Sequence, residues 1–203
     1  DYLSPSTASV VQHRLGAKKA GTFDLNAACS GFVIGLDTAS KFIAADPRYK
    51  NVLVLGGYNM SKHLNKADKK TVTLFADGAG AVLLRAEDGS RGFRAARMHT
   101  EGQYHDWMGI YAGGTRRPTT PEVLAESAHQ LVFAKKFPKE VNPLHWTAMV
   151  RGLCGELGLS PRDVDHYVFT QLNINSIHET LDNLEVPRER GHTVMDRYGY
   201  TGS

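Results

Sequence analysis

Apolar residues in the first part of the chain recur with periods that predict helix, strand, helix and strand in that order. The first helix is predicted over residues 5–17, after the capping residue Ser4 and with a proline in its first turn. A short strand over residues 21–28 leads into a second helix from Cys29 to about Asp46, where apolar residues recur at steps of one, three and four. Helices and strands therefore alternate from the start of the chain.

The next apolar runs predict three strands. Residues 51–55 form a continuous apolar run between polar flanks, which predicts a strand buried on both faces of a helix-covered sheet. Two further strands, over residues 71–75 and 79–85, are expected to be joined by a turn at Asp77 and Gly78.

In the second half of the chain, predicted strands are again followed by helices, but there is no strict sequence repeat. The spacing predicts strands over residues 93–100 and 164–170, and helices over residues 122–137, 143–157 and 173–184. A loop rich in glycine and aromatic residues separates the halves. The predicted organisation is a first unit over residues 1–95, a connecting loop over residues 96–120 and a second unit over residues 121–203.

Composition and charge exclude several classes of protein. The 203 residues carry 24 Lys and Arg against 21 Asp and Glu, and a net charge of +3 is too small and too evenly spread for a nucleic-acid-binding surface. No apolar run of about 18 residues is evident, and the first residues lack the pattern of a signal peptide, so neither a membrane span nor secretion is expected. With two cysteines and no need for a disulfide framework, a cytoplasmic protein is predicted.

Cys29 is the residue with the clearest chemical potential. It follows a short apolar strand and begins an apolar helix, where free backbone N–H groups and the helix dipole stabilise a thiolate. Ala27, Ala28, Ser30 and Gly31 are small enough to let a substrate reach the sulfur. On spacing alone a nucleophile and an inert, packed thiol are equally plausible interpretations.

Five segments of the chain resemble the β-ketoacyl-acyl-carrier-protein synthase III family of thiolase-fold condensing enzymes. They are FDLNAACSGFVIGLDTA, VLVLGGYNMS, TLFADGAGAVLL, DVDHYVFTQLN and VMDRYGYTGS, in that order and at similar spacing. The resemblance implies an α/β, thiolase-like fold of two related βαβ-type halves, with mixed five-stranded sheets and helices between and outside them, and a homodimer. It also leads us to expect that the chain lacks the family's opening βαβ region and its final strands with a glycine-rich loop.

The resemblance implies an acyl transfer in two steps. Cys29 would accept an acyl group from acyl-coenzyme A, and its N–H would form part of the oxyanion hole. A malonyl thioester on acyl carrier protein would then lose carbon dioxide and attack the acyl group. Acyl-coenzyme A and the carrier protein are thus expected partners, and no cofactor is expected because coenzyme A enters as part of the substrate.

Two positions depart from the family pattern. Thr170 stands where the family places a histidine, and Tyr200 stands where it places an asparagine. In the family those side chains donate hydrogen bonds to the malonyl thioester oxygen. Both replacements retain an O–H that can donate, but neither supplies an imidazole. Cys29, Thr170 and Tyr200 are therefore the predicted catalytic residues, with acylation retained and the second step altered.

Four further residues are predicted to bind substrate from their positions in the family pattern. Asn173 belongs to a motif close to the family's active site, and Lys69 lies where an arginine often flanks the pantetheine entrance. Trp107 and Met108 lie in the loop that shapes the acyl pocket in relatives. Structural roles, in a solvated lysine-rich loop or in loop packing, are the alternatives.

Other candidates are weaker. The DGAGA stretch that begins at Asp77 is not followed by a helix, so it is not expected to bind a dinucleotide. No metal site is expected, because His99, His105 and His178 lie in no zinc-binding motif. Cys154 is expected in the core.

The sequence leaves two other functions open, an accessory subunit without catalysis and a thioesterase-like hydrolase. It also leaves open the acyl chain length and the acceptor of the second step. Thiol trapping would distinguish the accessory subunit, and product analysis would distinguish the hydrolase.

Overall fold

A computed structural model of the chain describes residues 3–89 and 91–202. The helices are α1 (Thr7–Arg14), α2 (Gly31–Ala45), α3 (Lys69–Val72), α4 (Pro121–Ala125), α5 (Val141–Glu156), α6 (Ile174–Asn183) and α7 (Met195–Tyr198). The strands are β1 (Asn51–Asn59), β2 (Asp77–Arg85), β3 (Met108–Gly109), β4 (Val132–Phe133), β5 (Tyr167–Val168) and β6 (Gly191–His192). Helices and strands of both halves contribute, so the fold is α/β.

Strands β1 and β2 form the longest ladder. They run antiparallel in continuous register, from Asn51 opposite Arg85 to Asn59 opposite Asp77. Helix α2 packs on β1, and a Cβ added at Gly35 would lie 3.0 Å from Val54 Cγ1, so this glycine allows the close approach. Two shorter pairs follow, with β3 and β4 antiparallel and β5 and β6 parallel. The packing of α2 on β1 fixes where the first turn of α2 lies.

Two apolar clusters form the core. The first lies between β5, α5 and α6 and consists of Tyr167, Ile177, Leu181, Leu184 and Val186. The second joins residues from both halves of the chain and consists of Leu64, Phe75, Leu131 and Tyr200. Cys29 and Met108 pack against this second cluster.

Leu181 offers a test of the first cluster. Its side chain is fully buried, so Leu181→Ala is expected to lower the free energy of unfolding by about 2–5 kcal/mol. Leu144→Ala is the matched control, since that leucine is 63% exposed and its loss is expected to change stability by less than about 0.5 kcal/mol. Urea denaturation measures both values, and equal effects would contradict the assignment of the core.

The structure confirms the long periodic elements. The predicted helices over residues 143–157 and 173–184 correspond to α5 and α6, and the helix that begins near Cys29 corresponds to α2. The first helix is shorter than predicted, and Ser6 rather than Ser4 caps it by accepting from the N–H of Ser9. The predicted strands over residues 51–55 and 79–85 lie within β1 and β2.

Several short predictions are wrong. Residues 21–27 and 93–100 form no ladder with any strand in the described part of the chain, so they are not strands. Residues 71–75 were predicted as a strand but lie in α3 and the turn after it, because Asp68 caps this helix and accepts from the Thr71 hydroxyl. Asp77 and Gly78 do not form a turn, since both belong to β2.

The predicted helix over residues 122–137 is also wrong for most of its length. Helix α4 ends at Ala125, and Ser127 adopts a φ of 55°, a left-handed conformation that stops the helix. The chain then turns into β4, which pairs with β3. Strand β3, which lies within the predicted connecting loop over residues 96–120, therefore pairs with a strand of the predicted second unit. The division into two units and a loop stays a prediction.

One face of the β1–β2 ladder is exposed, contrary to the prediction of a strand buried on both faces. Burial alternates along β1, and Leu53 and Leu55 are 43% and 45% exposed. Helix α2 covers the other face, which accounts for the alternation.

The described residues contain one helical stretch, Ala28–Ala45, that is long and apolar enough to span a membrane by length and composition. This corrects the expectation that no such stretch exists. Asp37 is buried within it and pairs with Lys41 one turn later, and the helix packs on β1. A core helix of a folded domain passes the same test, because the test uses length and composition alone.

Candidate active site

A strained turn places Cys29 at the start of α2. Residues Ala28–Ser30 form a single 3-10 turn, and Ala28 has a φ of 45°, a region that costs a residue with a Cβ about 1–3 kcal/mol. Side-chain hydrogen bonds help to hold the turn, from the N–H of Ala28 to Asn26 Oδ1 (3.2 Å) and from the Ser30 hydroxyl to the carbonyl of Ala27 (2.8 Å). The turn presents the Cys29 thiol at the amino end of a 15-residue helix.

The side chain of Cys29 lies against the second apolar cluster and is partly exposed. A sulfur in this position is bordered by apolar groups and by the helix amino end, while one side stays open to solvent. The reactivity of the sulfur therefore depends on the polar side chains beside it.

Tyr200 is a polar neighbour of Cys29. Its backbone pairs with the segment before β2, with the N–H of Tyr200 donating to Leu74 (2.9 Å) and its carbonyl accepting from Ala76 (2.8 Å). Its ring packs edge-on against Tyr58 and Phe75, with centroids 5.7 and 5.6 Å away. The side chain is buried, and its hydroxyl lies near enough to Cys29 for the charge of a Cys29 thiolate to raise the pKa of the phenol.

Thr170 completes a chain of three side chains. Its hydroxyl donates to Tyr200 Oη over 2.9 Å, which leaves the phenol proton of Tyr200 for the sulfur of Cys29. Burial, and then the charge of a Cys29 thiolate, raise the pKa of Tyr200 above its ordinary value, so the phenol stays protonated. The structure thus brings the three predicted catalytic residues together, but Thr170 reaches the sulfur only through Tyr200.

Tyr58 is a neighbour of the site that the sequence analysis missed. Burial raises the pKa of its phenol, and Cys29 and Asp77 contribute to the rise. Gly202, with a φ of 87°, lies against its ring, where a Cβ would come within 2.6 Å. The position of Tyr58 at the end of β1, after two glycines, was the available signal.

The raised pKa values of Tyr58 and Tyr200 predict a loss of stability at alkaline pH. Above pH 10, the ordinary pKa of tyrosine, the unfolded chain releases these protons while the folded chain retains them, so the free energy of unfolding falls as pH rises. Denaturation between pH 8 and about 11 measures the fall. Tyr200→Phe is expected to reduce it and Tyr198→Phe, at a tyrosine that is 62% exposed, to leave it unchanged. Equal falls in all three proteins would contradict the prediction.

The predicted pocket residues Trp107 and Met108 have different surroundings. Met108 packs against the second apolar cluster, against which Cys29 also packs, and its assignment to substrate binding stays a prediction. Trp107 instead packs with Tyr104 and Phe137, and the ammonium of Lys135 lies 5.6 Å from its ring centroid. These contacts hold the loop together and give Trp107 a packing role.

Lys69 and Asn173 do not reach the three catalytic candidates through any contact that the structure shows. Lys69 is exposed at the first position of α3, near Lys62, Lys66 and Lys70 in sequence. Asn173 caps α6, since its Oδ1 accepts from the N–H of Asn175 over 3.0 Å. Their assignment to substrate binding stays a prediction.

The capping role of Asn173 gives a testable expectation. Asn173→Ala removes the acceptor and is expected to lower the free energy of unfolding by about 1 kcal/mol, whereas Asn173→Asp retains it. Thermal denaturation compares the two variants. If both variants lose activity while Asn173→Asp keeps its stability, Asn173 acts on substrate as well as on the helix.

The structure shows the surroundings of the DGAGA stretch and of Cys154. The DGAGA stretch lies in β2, and Asp77 accepts hydrogen bonds from the backbone and hydroxyl of Ser61, which is a structural role. Cys154 is buried in α5, and burial raises the pKa of its thiol. Cys154 is therefore a core residue.

Comparisons with known proteins agree on one family. The model of 3-oxoacyl-[acyl-carrier-protein] synthase III matches residues 23–102, and the model of the carboxy-terminal part of the same family matches residues 154–203. The two matches together span more than half of the chain.

Similar proteins carry related names. The β-ketoacyl-[acyl-carrier-protein] synthase III of Roseiflexus sp. is 38% identical over 98% of this chain and 60% of its own length. The acetoacetyl CoA synthase of a Streptomyces strain is 34% identical over 100% of this chain and 62% of its own. The crystal structure of the Pseudomonas aeruginosa 3-oxoacyl-(acyl carrier protein) synthase III is similar with a TM-score of 0.88 at 29% identity, over 100% of this chain and 61% of that one. The chain thus spans about three-fifths of these relatives' length and has the thiolase-like fold of condensing enzymes.

Proposed function

Because the chain belongs to the 3-oxoacyl-[acyl-carrier-protein] synthase III family, we propose that the protein is an acyltransferase that condenses an acyl group with a malonyl thioester. The observation that carries this proposal is the position of Cys29, at the amino end of α2 and next to a buried, protonated Tyr200 whose hydroxyl accepts from Thr170. An accessory subunit would have no chemical need of this arrangement, and none of the relatives described above is named as a hydrolase.

In the first step the Cys29 thiolate attacks the carbonyl carbon of acyl-coenzyme A. A new S–C bond forms at Cys29, the S–C bond to coenzyme A breaks, and the thiol proton of Cys29 ends on coenzyme A. The backbone N–H of Cys29 faces the oxygen that becomes negative in the tetrahedral intermediate. The Tyr200 phenol beside the sulfur is a donor that can stabilise negative charge there during the attack.

In the second step Tyr200 changes its acceptor. The sulfur of an acylated Cys29 is a thioester and accepts hydrogen bonds poorly, so the phenol proton becomes available for the carbonyl oxygen of the malonyl thioester. Carbon dioxide leaves, the resulting enolate carbon attacks the acyl carbonyl, and the Cys29 thiolate is released. Thr170 orients the phenol and strengthens it as a donor, because its own proton lies on Tyr200 Oη.

The expected partners follow from this reaction. Acyl-coenzyme A supplies the acyl group, and the acceptor is a malonyl group on acyl carrier protein or on coenzyme A, the two carriers in the names of similar proteins. The role proposed is in fatty acid biosynthesis, in the cytoplasm and as a homodimer. Lys69 and the neighbouring lysines are proposed to meet the acidic carrier or the phosphates of coenzyme A, and Met108 to limit the acyl pocket.

Product analysis tests the proposal. The full-length protein is incubated with acetyl-coenzyme A and malonyl-coenzyme A, with and without acyl carrier protein and a malonyl transferase that loads it, and products are separated by liquid chromatography and mass spectrometry. A 3-oxoacyl thioester on either carrier supports the proposal. Release of free acetate without condensation would identify a hydrolase, and no turnover of acyl-coenzyme A would favour an accessory subunit.

A further inference from the structure

A second group of polar side chains lies away from Cys29. His99 and Glu101, in an irregular segment, meet His145 near the start of α5, and one ligand atom from each lies within 4.8 Å of the others. The imidazoles of His99 and His145 are stacked with centroids 4.3 Å apart, and His145 Nε2 lies 3.2 Å from Glu101 Oε2. Two imidazole nitrogens and a carboxylate oxygen thus lie close enough together to share one ion.

The segment that carries His99 and Glu101 is held to α5 by side chains rather than by a β ladder. Residues 93–100 pair with no strand in the part of the chain that the structure describes. Arg97 forms an ion pair with Glu156 at the carboxy end of α5 and lies against Gly152. The group of His99, Glu101 and His145 lies at the opposite end of the helix, so it forms the second attachment of the segment.

We propose that His99, Glu101 and His145 bind a divalent first-row transition metal ion. Neutral imidazoles and a carboxylate are ligands that Zn²⁺ and its neighbours prefer, and three such ligands leave a position open for water. The side chains of Glu101 and His145 are each 24% exposed, while His99 is exposed, so the group is partly desolvated and still open to an ion from solvent. The ion joins the segment to α5, the 16-residue helix that packs against α6.

Without an ion, the three side chains share one polar contact. His145 Nε2 lies 3.2 Å from Glu101 Oε2, and the ring of His99 is stacked on that of His145. A divalent cation engages both rings and the carboxylate at once. Sequence inspection could not find the site, because His145 lies on a helix far along the chain from Glu101 and the three residues form no short motif.

Titration with Zn²⁺ and Co²⁺ tests the proposal in the full-length protein, with any affinity tag removed. Isothermal titration calorimetry is expected to give one site per chain, and the Co²⁺ form is expected to show d–d bands without the charge-transfer band of a cobalt–thiolate bond. Such a band would place the ion on a cysteine and overturn the proposal.

Variants separate this site from other histidines. His145→Ala and Glu101→Gln are each expected to weaken Zn²⁺ binding by about 100-fold or more, since loss of an outer-shell partner alone costs about 10–100-fold. His105→Ala is the matched control, an exposed histidine close to Glu101 in sequence, and it is expected to bind as tightly as the unaltered protein. Circular dichroism shows whether each variant is folded. Unchanged binding in a folded His145→Ala protein, or no binding in the unaltered protein, would overturn the proposal.

Discussion

Cys29→Ala is expected to abolish acyl transfer entirely. The substitution removes the nucleophile while leaving the small-residue turn at Ala28–Ser30 and the amino end of α2 in place. After incubation with acetyl-coenzyme A, intact-protein mass spectrometry is expected to show an acetyl adduct on the unaltered protein and none on the variant. No condensation product is expected from the variant at any enzyme concentration.

Cys154→Ala is the matched control for this experiment. It makes the same chemical change at the other cysteine, which is buried in α5 and has a thiol whose pKa burial raises. The adduct is expected to persist at full yield, although the variant unfolds more easily. An adduct on the Cys29→Ala protein, or its loss in a folded Cys154→Ala protein, would contradict the assignment of Cys29.

Tyr200→Phe is expected to lower the rate of condensation by about 100- to 1000-fold, the typical effect of losing one preorganised donor. The phenylalanine ring keeps the contacts with Tyr58 and Phe75, so the change removes the hydroxyl and little else. Acylation of Cys29 is expected to fall by a smaller factor, because the helix amino end still favours the thiolate. Stopped-flow measurement of coenzyme A release separates acylation from condensation.

Two companion variants make this result specific. Tyr58→Phe removes a buried hydroxyl from the same surroundings, and a fall of less than about tenfold is expected, because Tyr58 has no hydrogen bond to Cys29 or Thr170 in the described structure. Thr170→Val removes the donor to Tyr200 and is expected to give an intermediate loss, with rescue by Thr170→Ser. Equal losses in Tyr200→Phe and Tyr58→Phe would mean that Tyr200 supports packing and not the reaction.

The elements that the sequence predicts correctly are those with long, regular periods. Helices α2, α5 and α6 each present apolar residues over 10 to 16 residues, and packing against a strand or a second helix stabilises the same pattern. The predictions for shorter apolar runs are wrong because local interactions override the propensities of their residues. Thr71 and Val72 favour a strand by propensity, but the cap from Asp68 draws them into α3.

The residues of the candidate site could be predicted from the sequence, but the contacts among them could not. Cys29 could be recognised from its motif, and Thr170 and Tyr200 from their positions in the family pattern. The hydrogen bond from Thr170 to Tyr200 joins residues 30 positions apart. Because the Thr170 proton lies on Tyr200 Oη, only the Tyr200 proton is left for the substrate oxygen. This direction follows only from the packed structure. The contact of His145 with His99 and Glu101 could not be predicted for the same reason, because it forms only when the chain is packed.

A time course of intact-protein mass spectra tests the central claim most directly. The full-length protein is first acylated with acetyl-coenzyme A, freed of excess reagent, and then mixed with a malonyl thioester on acyl carrier protein or on coenzyme A. We expect an acetyl adduct on Cys29 that disappears after mixing as an equal amount of 3-oxobutanoyl thioester forms on one of the two carriers. An adduct that neither malonyl thioester discharges, or one that water removes at the same rate without them, would contradict a condensing enzyme that works through Cys29 and Tyr200.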